Sequence, residues 1–150
     1  MTSPSREHGL GRGIATALAI LAGFAPNGAD GAEGNPVRGK LVFARCLFCH
    51  SADPGVHKAG PSLASIWGRT AGSVEGFGKY SAALKASEIV WTAETLDRWL
   101  RGPRAFVPGT GMIDVRLQNA VDRLDLIAYL KSLASMTTGK AKATNDKERQ

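Results

Sequence analysis

Apolar residues recur at helical spacing in four stretches of the chain, and nowhere does apolar and polar alternation mark a convincing strand. Asn35 can cap a first helix with Pro36 at its opening position, carrying Val37, Leu41, Val42 and Phe43. Ser81 starts a short helix through Ala86. Thr92 caps another, with Glu94 in its first turn and Leu96, Trp99 and Leu100 on one face, and Gly102-Pro103 stops it. The longest begins near Asn119, where Leu124, Ile127, Ala128 and Leu130 keep near-helical spacing through Lys131. Pro54-Gly55, Gly60-Pro61, Gly72, Gly76, Gly78 and Pro108-Gly109 punctuate the connections. The pattern predicts a small all-α fold.

The two ends depart from this periodicity. Arg6 and Arg12 precede an apolar run from Ile14 to Ala25, and small residues crowd Gly28 to Ala32. That order predicts a secretory signal over residues 1–32, cleaved after Ala29, Gly31 or Ala32. The competing reading is a membrane anchor, but the run is too short to span a bilayer, which needs about 20 residues. A single domain follows over 33–138, and the polar stretch 139–150 reads as a disordered tail. Formal net charge is +6, and removing residues 1–32 leaves it unchanged. A basic body suits anionic partners by long-range steering. No basic-aromatic stripe accompanies the charge, so a nucleic-acid role is not indicated.

The run Cys46-Leu47-Phe48-Cys49-His50 changes the picture most. C-x-x-C-H is the attachment box of a c-type haem: two thiols for thioethers to the vinyl groups, then an imidazole that reaches the iron. A redox dithiol would want a βαβ setting, which is missing. A closed zinc site needs about four ligands. The chain has only two cysteines, and its other histidines are His8 and His57. The box therefore predicts one haem c on Cys46 and Cys49 with His50 as an axial metal ligand, inside a helical fold wrapped around that apolar plate. Export fits this chemistry, since a Cys46–Cys49 disulfide would be at most a transient before haem capture.

A six-coordinate iron needs a ligand opposite His50. Met1 is the start residue, and Met136 lies beside the polar tail. Met112 ends the run Val107-Pro108-Gly109-Thr110-Gly111-Met112, whose Pro and Gly residues allow an irregular loop that projects a thioether. Methionine is commonly a core gap-filler; the upstream box favours Met112 as the ligand. A thioether stabilises ferrous iron and closes the site to small molecules, which favours electron transfer over oxygen chemistry.

With these residues in place the chain resembles the class I cytochromes c, of the mitochondrial and bacterial c2-like type. The resemblance runs from about Gly39 to Leu133. It rests on Cys46-x-x-Cys49-His50, Gly60-Pro61-x-Leu63, Gly68-Arg69, Gly76-Phe77, Tyr80-Ser81, Trp91, Trp99-Leu100, Pro108-Gly109-Thr110-x-Met112 and Arg123-x-Asp125-Leu126-Ile127-Ala128-Tyr129-Leu130-Lys131, in that order. It implies the cytochrome c fold, with Gly39 and Val42 or Phe43 packed on Leu126 and Tyr129. It also implies that the Pro61 carbonyl accepts the proximal imidazole N–H, a bond that orients the ring and makes it a better donor. Tyr80 and Trp91 would bind a haem propionate, Arg69 would lie near that charge, and Thr110 would support the other propionate or the ligand loop. Trp99 stands where the family often has a tyrosine near the methionine sulfur. Trp91 and Trp99 also read as apolar walls with an N–H to satisfy. Gly111, Asp114 and Arg116 depart from the family's usual lysine, aromatic and glycine, and of its basic ring Arg45, Lys58 and Arg104 are present.

These expectations describe a monomeric, periplasmic, one-electron carrier working between a reductase and an oxidase or other acceptor. A dedicated electron-transfer subunit of a periplasmic dehydrogenase is the alternative, with Asp114 and Arg116 a mild hint of a specialised partner. A haem enzyme or gas sensor would need an open sixth site, which the Pro-Gly-Thr-Gly-Met loop opposes.

Overall fold

The computed structural model describes residues 33–113 and 115–147, with residues 136–147 described by backbone alone. The expected signal over 1–32 and the departure at Asp114 lie outside the described residues. Five helices occur among the described residues: α1 (Pro36–Phe43), α2 (Ala82–Lys85), α3 (Ala93–Arg101), α4 (Pro103–Phe106) and α5 (Ala120–Lys147). The sole β feature among them is an isolated bridge between Thr70 and Val90. The fold is the all-α one that the periodicity predicts.

The helix starts are set by side chains that satisfy orphan N–H groups. The Asn35 side chain accepts from the N–H groups of Val37 and Arg38, at 2.9 and 3.1 Å. Ser81 caps α2 through Leu84 N–H, and Asn119 accepts from Val121 N–H at the start of α5. Thr92 and Thr95 form a reciprocal capping box at α3. Two differences from the sequence expectation have plain causes. Pro103 ends α3 but also opens α4, because a proline at the first helical position gives up an N–H that would be unpaired anyway. Helix α5 continues past Lys131, and the stretch expected as a disordered tail is helical as far as Lys147. Its Ala and Lys residues are strong helix formers, and no proline interrupts it.

Helices α1 and α5 cross at close range and form the frame. Gly39 is buried, and an added Cβ there would collide with the Asp125 carbonyl. Phe43 stacks on Tyr129 with ring centroids 5.1 Å apart, beside the buried Leu126. Of the two α1 residues expected on this face, Phe43 packs there, while Val42 lines the central cavity. The buried Asp125 carboxylate binds the start of α1. It accepts the Asn35 N–H at 2.6 Å, Arg38 Nε at 2.6 Å and Arg38 Nη2 at 3.0 Å. A second clamp joins α3 to α5: buried Arg123 donates to Asp97 at 2.7 Å and to the carbonyls of Leu117 and Gln118.

The Arg38 guanidinium, aided by the Asn35 N–H, holds the Asp125 carboxyl below its ordinary value. A carboxylate with a depressed folded pKa contributes stability above its unfolded value, about 3.9, and loses it as pH falls through the lower folded value. Asp125→Asn is therefore expected to lower the guanidinium midpoint at pH 7. It should also flatten the fall in stability on going to pH 3. Equal pH dependence in the two proteins would mean that this carboxylate does not carry the acid limb.

Candidate functional site

The chain leaves α1 directly into the C-x-x-C-H box, which continues as tight helical turns. Cys46 N–H donates to Phe43 O at 2.8 Å, Cys49 N–H to Cys46 O at 3.1 Å, and His50 N–H to Cys46 O at 2.8 Å. Both cysteines are free thiols. Burial and the neighbouring Cys49 push the Cys46 thiol up, against the pull of Arg45. The His50 ring is fixed by Gly60-Pro61: its Nδ1–H donates to Pro61 O at 2.7 Å. A carbonyl can only accept, so Nδ1 carries the proton and Nε2 keeps its lone pair. Burial lowers the imidazole pKa, Lys58 lowers it further, and the Pro61 carbonyl opposes both. Both the burial and the Pro61 bond leave Nε2 as the nitrogen available to a ligand. A Cβ at Gly60 would run into this ring, so the glycine of the Gly-Pro pair is a wall of the site as well as a turn.

Behind the box lies a cavity of about 330 Å³. Its lining includes all ten residues singled out in the sequence: Cys46, Cys49, His50, Pro61, Arg69, Tyr80, Trp91, Trp99, Thr110 and Met112. Backbone bonds pin two of these together. Trp91 N–H donates to Arg69 O at 3.0 Å, and Gly68 N–H donates to Trp91 O at 2.9 Å. Trp91 and Trp99 are buried and meet edge to face at 5.2 Å. Arg69 donates to the carbonyls of Ala64 and Ser62, and burial lowers its pKa. Burial likewise raises the Tyr80 phenol. The Met112 loop is shaped by α4 and by Gly109 at φ +85°, a conformation that favours glycine. Thr110, buried, accepts the Met112 N–H on its hydroxyl at 3.3 Å.

His57 takes no part in a metal cluster. Its Nδ1 accepts from Ser62 N–H and its Nε2 donates to Glu75 O, so both nitrogens hold backbone. Among the described residues no group of three or more His, Cys, Asp or Glu side chains is placed to hold a metal ion. The zinc reading therefore has no ligand set there.

No protein-family model matches the chain. It is 45% identical to cytochrome c of Euglena viridis over 101 residues, which is 67% of this chain and 98% of that protein. The chain belongs to the class I cytochromes c. Cytochrome c2 of Rhodomicrobium vannielii is 47% identical over 66% of this chain and 79% of its own length. The solved structure of cytochrome cH from Methylobacterium extorquens superposes with a TM-score of 0.62 at 35% identity, over 66% of this chain and 99% of that one. As a class I cytochrome c the protein carries one covalent haem c and is an electron carrier, not an enzyme.

The cavity fits that cofactor on its own chemistry. It is mostly apolar, with two free thiols and the Pro61-oriented His50 imidazole in its lining. The Trp91 and Trp99 indoles are buried without a protein acceptor among the described residues, an expense that a polar ligand group would remove. Arg69 likewise has backbone carbonyls but no carboxylate partner among the described residues. A haem offers an apolar plate with two carboxylates, which matches both features. The sequence marks Gly60 as a turn and Leu130 as a helix position but not as cavity lining, and it gives no sign of Leu84 or Leu117 there, because leucine periodicity and a Gly-Pro turn look the same whatever the core encloses.

Gly60→Ala drives a methyl group into the His50 ring and off the Pro61 carbonyl. The ratio of holoprotein to apoprotein is expected to fall about tenfold, in the range seen for lost support of a metal-bound histidine. Quantified haem absorbance per polypeptide measures it, and an unchanged ratio would count against this role for Gly60.

Proposed function

We propose that the protein is an exported one-electron carrier whose haem is held by Cys46 and Cys49 and ligated by His50 and Met112. The haem supplies reversible Fe(III)/Fe(II) cycling. The chain supplies the rest. Cys46 and Cys49 would hold the haem through thioethers. Pro61 holds His50 in the tautomer that presents Nε2, and through that bond makes it a stronger donor. Thr110 positions the Met112 backbone, and the Met112 thioether would be the iron's second protein ligand and would exclude small ligands. Arg69, Tyr80 and the Trp91 indole N–H would hold propionate charge, while Trp99 packs edge to face on Trp91 and brings its own indole N–H to the same cavity. The low-dielectric lining limits solvent reorganisation when charge arrives or leaves.

The observation that carries this reading is the convergence of ten residues, scattered from Cys46 to Met112, on one cavity. No helix of the described residues is long and apolar enough to cross a membrane. Export over residues 1–32 places the carrier in the periplasm, and the basic residues Arg45, Lys58 and Arg104 suit acidic reductases, oxidases or dehydrogenases. The test is mass spectrometry with a potentiometric spectrum of the purified holoprotein. The expected result is one porphyrin on Cys46 and Cys49, a chain beginning near residue 33, and a low-spin reduced spectrum of histidine and methionine ligation. A high-spin ferrous spectrum would defeat the Met112 assignment, and a polypeptide without porphyrin mass would defeat the whole reading.

A further inference from the structure

A line of exposed apolar side chains runs along α1 and into the haem box. Val37 is 75% exposed, Leu41 74% and Phe48 89%. Ala44 is exposed between them. Helix α1 ends at Phe43, and tight turns carry the chain on into the box: Ala44 N–H donates to Leu41 O, Leu47 N–H to Ala44 O and His50 N–H to Cys46 O. Positions 37 and 41, with the cap residue Ala44, fall at i, i+4 and i+7 on one face of α1, and Phe48 stands exposed in the turns that follow. That face is not the one used for folding, since Gly39 and Phe43 are the buried residues of α1. Single exposed hydrophobics are ordinary, but a stripe with a fully exposed phenylalanine marks an interaction surface.

Charge says what covers it. From Asn35 to Ala52 the sequence has no acidic residue. Lys40 and Arg45 are exposed on either side of the stripe, and Lys58 donates to Leu47 O at 2.5 Å at its box end. An apolar stripe inside a cationic rim repels a second copy of a chain with net charge +6. It complements a protein face with carboxylates around an apolar depression. Phe48 also sits between the two haem-binding cysteines, so a partner seated on it is brought beside the cofactor's attachment edge. We infer that Val37, Leu41 and Phe48 form the anchor by which an acidic redox protein docks on the α1 side of this carrier, with Lys40, Arg45 and Lys58 steering the approach. The inference rests on the carrier reading above and names the partner chemistry for it. Aromatic anchors dominate such interfaces, while rim charges set on-rate and salt dependence.

The experiment follows oxidation of the ferrous holoprotein by the cytochrome-oxidising membrane fraction of the cells that make it, with ferricyanide as a small oxidant that needs no protein surface. Leu41→Gln and Phe48→Gln are each expected to raise KM about tenfold, a hot-spot-sized loss. Unchanged kcat, potential and ferricyanide rate should accompany that rise. KM should keep its increase with salt in both variants, because the rim is intact. Leu41→Gln stays outside the haem box, so it remains informative if Phe48→Gln reduces haem attachment. An unchanged KM in Leu41→Gln overturns the inference, as does an equal slowing with ferricyanide. So does loss of a dimer in Leu41→Gln by analytical ultracentrifugation, or binding to phosphatidylglycerol vesicles that Leu41→Gln abolishes, for these assign the stripe to a second copy or to lipid. A wild-type holoprotein that neither oxidant oxidises removes the carrier reading itself.

Discussion

Met112→Ala lowers the reduction potential by on the order of 0.1 V, a modest part of the span of about 0.8 V that axial ligands command. It also makes the ferrous protein bind carbon monoxide quickly. Both effects have one origin. As the iron ligand proposed above, the thioether would be a neutral, soft donor that favours Fe(II), and alanine would leave that position to water or to nothing. The loop that carries the sulfur leaves α4 through the Val107 N–H to Pro103 O bond. Gly109 turns the backbone at φ +85°, and Thr110, buried, takes the Met112 N–H. The side chain packs against the core and lines the cavity. Met136→Ala is the control, expected to change neither property. Redox titration and flash photolysis read the two effects. A variant that keeps both the wild-type potential and resistance to carbon monoxide would show that Met112 is a packing residue.

How far the sequence reaches depends on the range of the interaction. Helix starts are local: Asn35, Ser81, Thr92 and Asn119 each act within three residues, and each caps in the structure the helix it predicts. Helix ends are less legible: the apolar periodicity of α5 fades after Lys131, while the helix runs on to Lys147 through residues of high helix propensity. The short helix α4 is hidden because one proline both stops and starts a helix. The cavity lining was legible only through an ordered family series, since nothing local to Arg69 or Trp91 says that they meet across a bridge. The ion pairs Arg38–Asp125 and Arg123–Asp97 are not legible in the sequence. Their partners lie far apart in the chain, and charged residues on helices look solvated until a packing geometry brings them together.

Gly39→Val is the most destabilising change expected outside the haem ligands, at roughly 3 kcal/mol or more, the upper end for overpacking because backbone and not a side chain must move. A Cβ at Gly39 collides with the Asp125 carbonyl and lies 2.8 Å from the Tyr129 Cβ. Neither neighbour is the free end of a flexible chain. Helix α1 must lift off α5, which parts Phe43 from Tyr129 and pulls Asn35 and Arg38 away from the buried Asp125 carboxylate. That carboxylate would then lose its partners while still largely shielded from water, which adds to the cost. At about 4 to 8 °C per kcal/mol for a domain of this size, the melting temperature falls by more than 10 °C. Lys40→Ala, one residue on and exposed, is expected to stay within about 0.5 kcal/mol. Because thioethers keep the haem on the chain in the folded and the unfolded protein alike, guanidinium titration of the two holoproteins compares packing and not cofactor affinity. A Gly39→Val midpoint equal to that of Lys40→Ala would mean that the two helices have room between them, and that the frame of the site is set elsewhere.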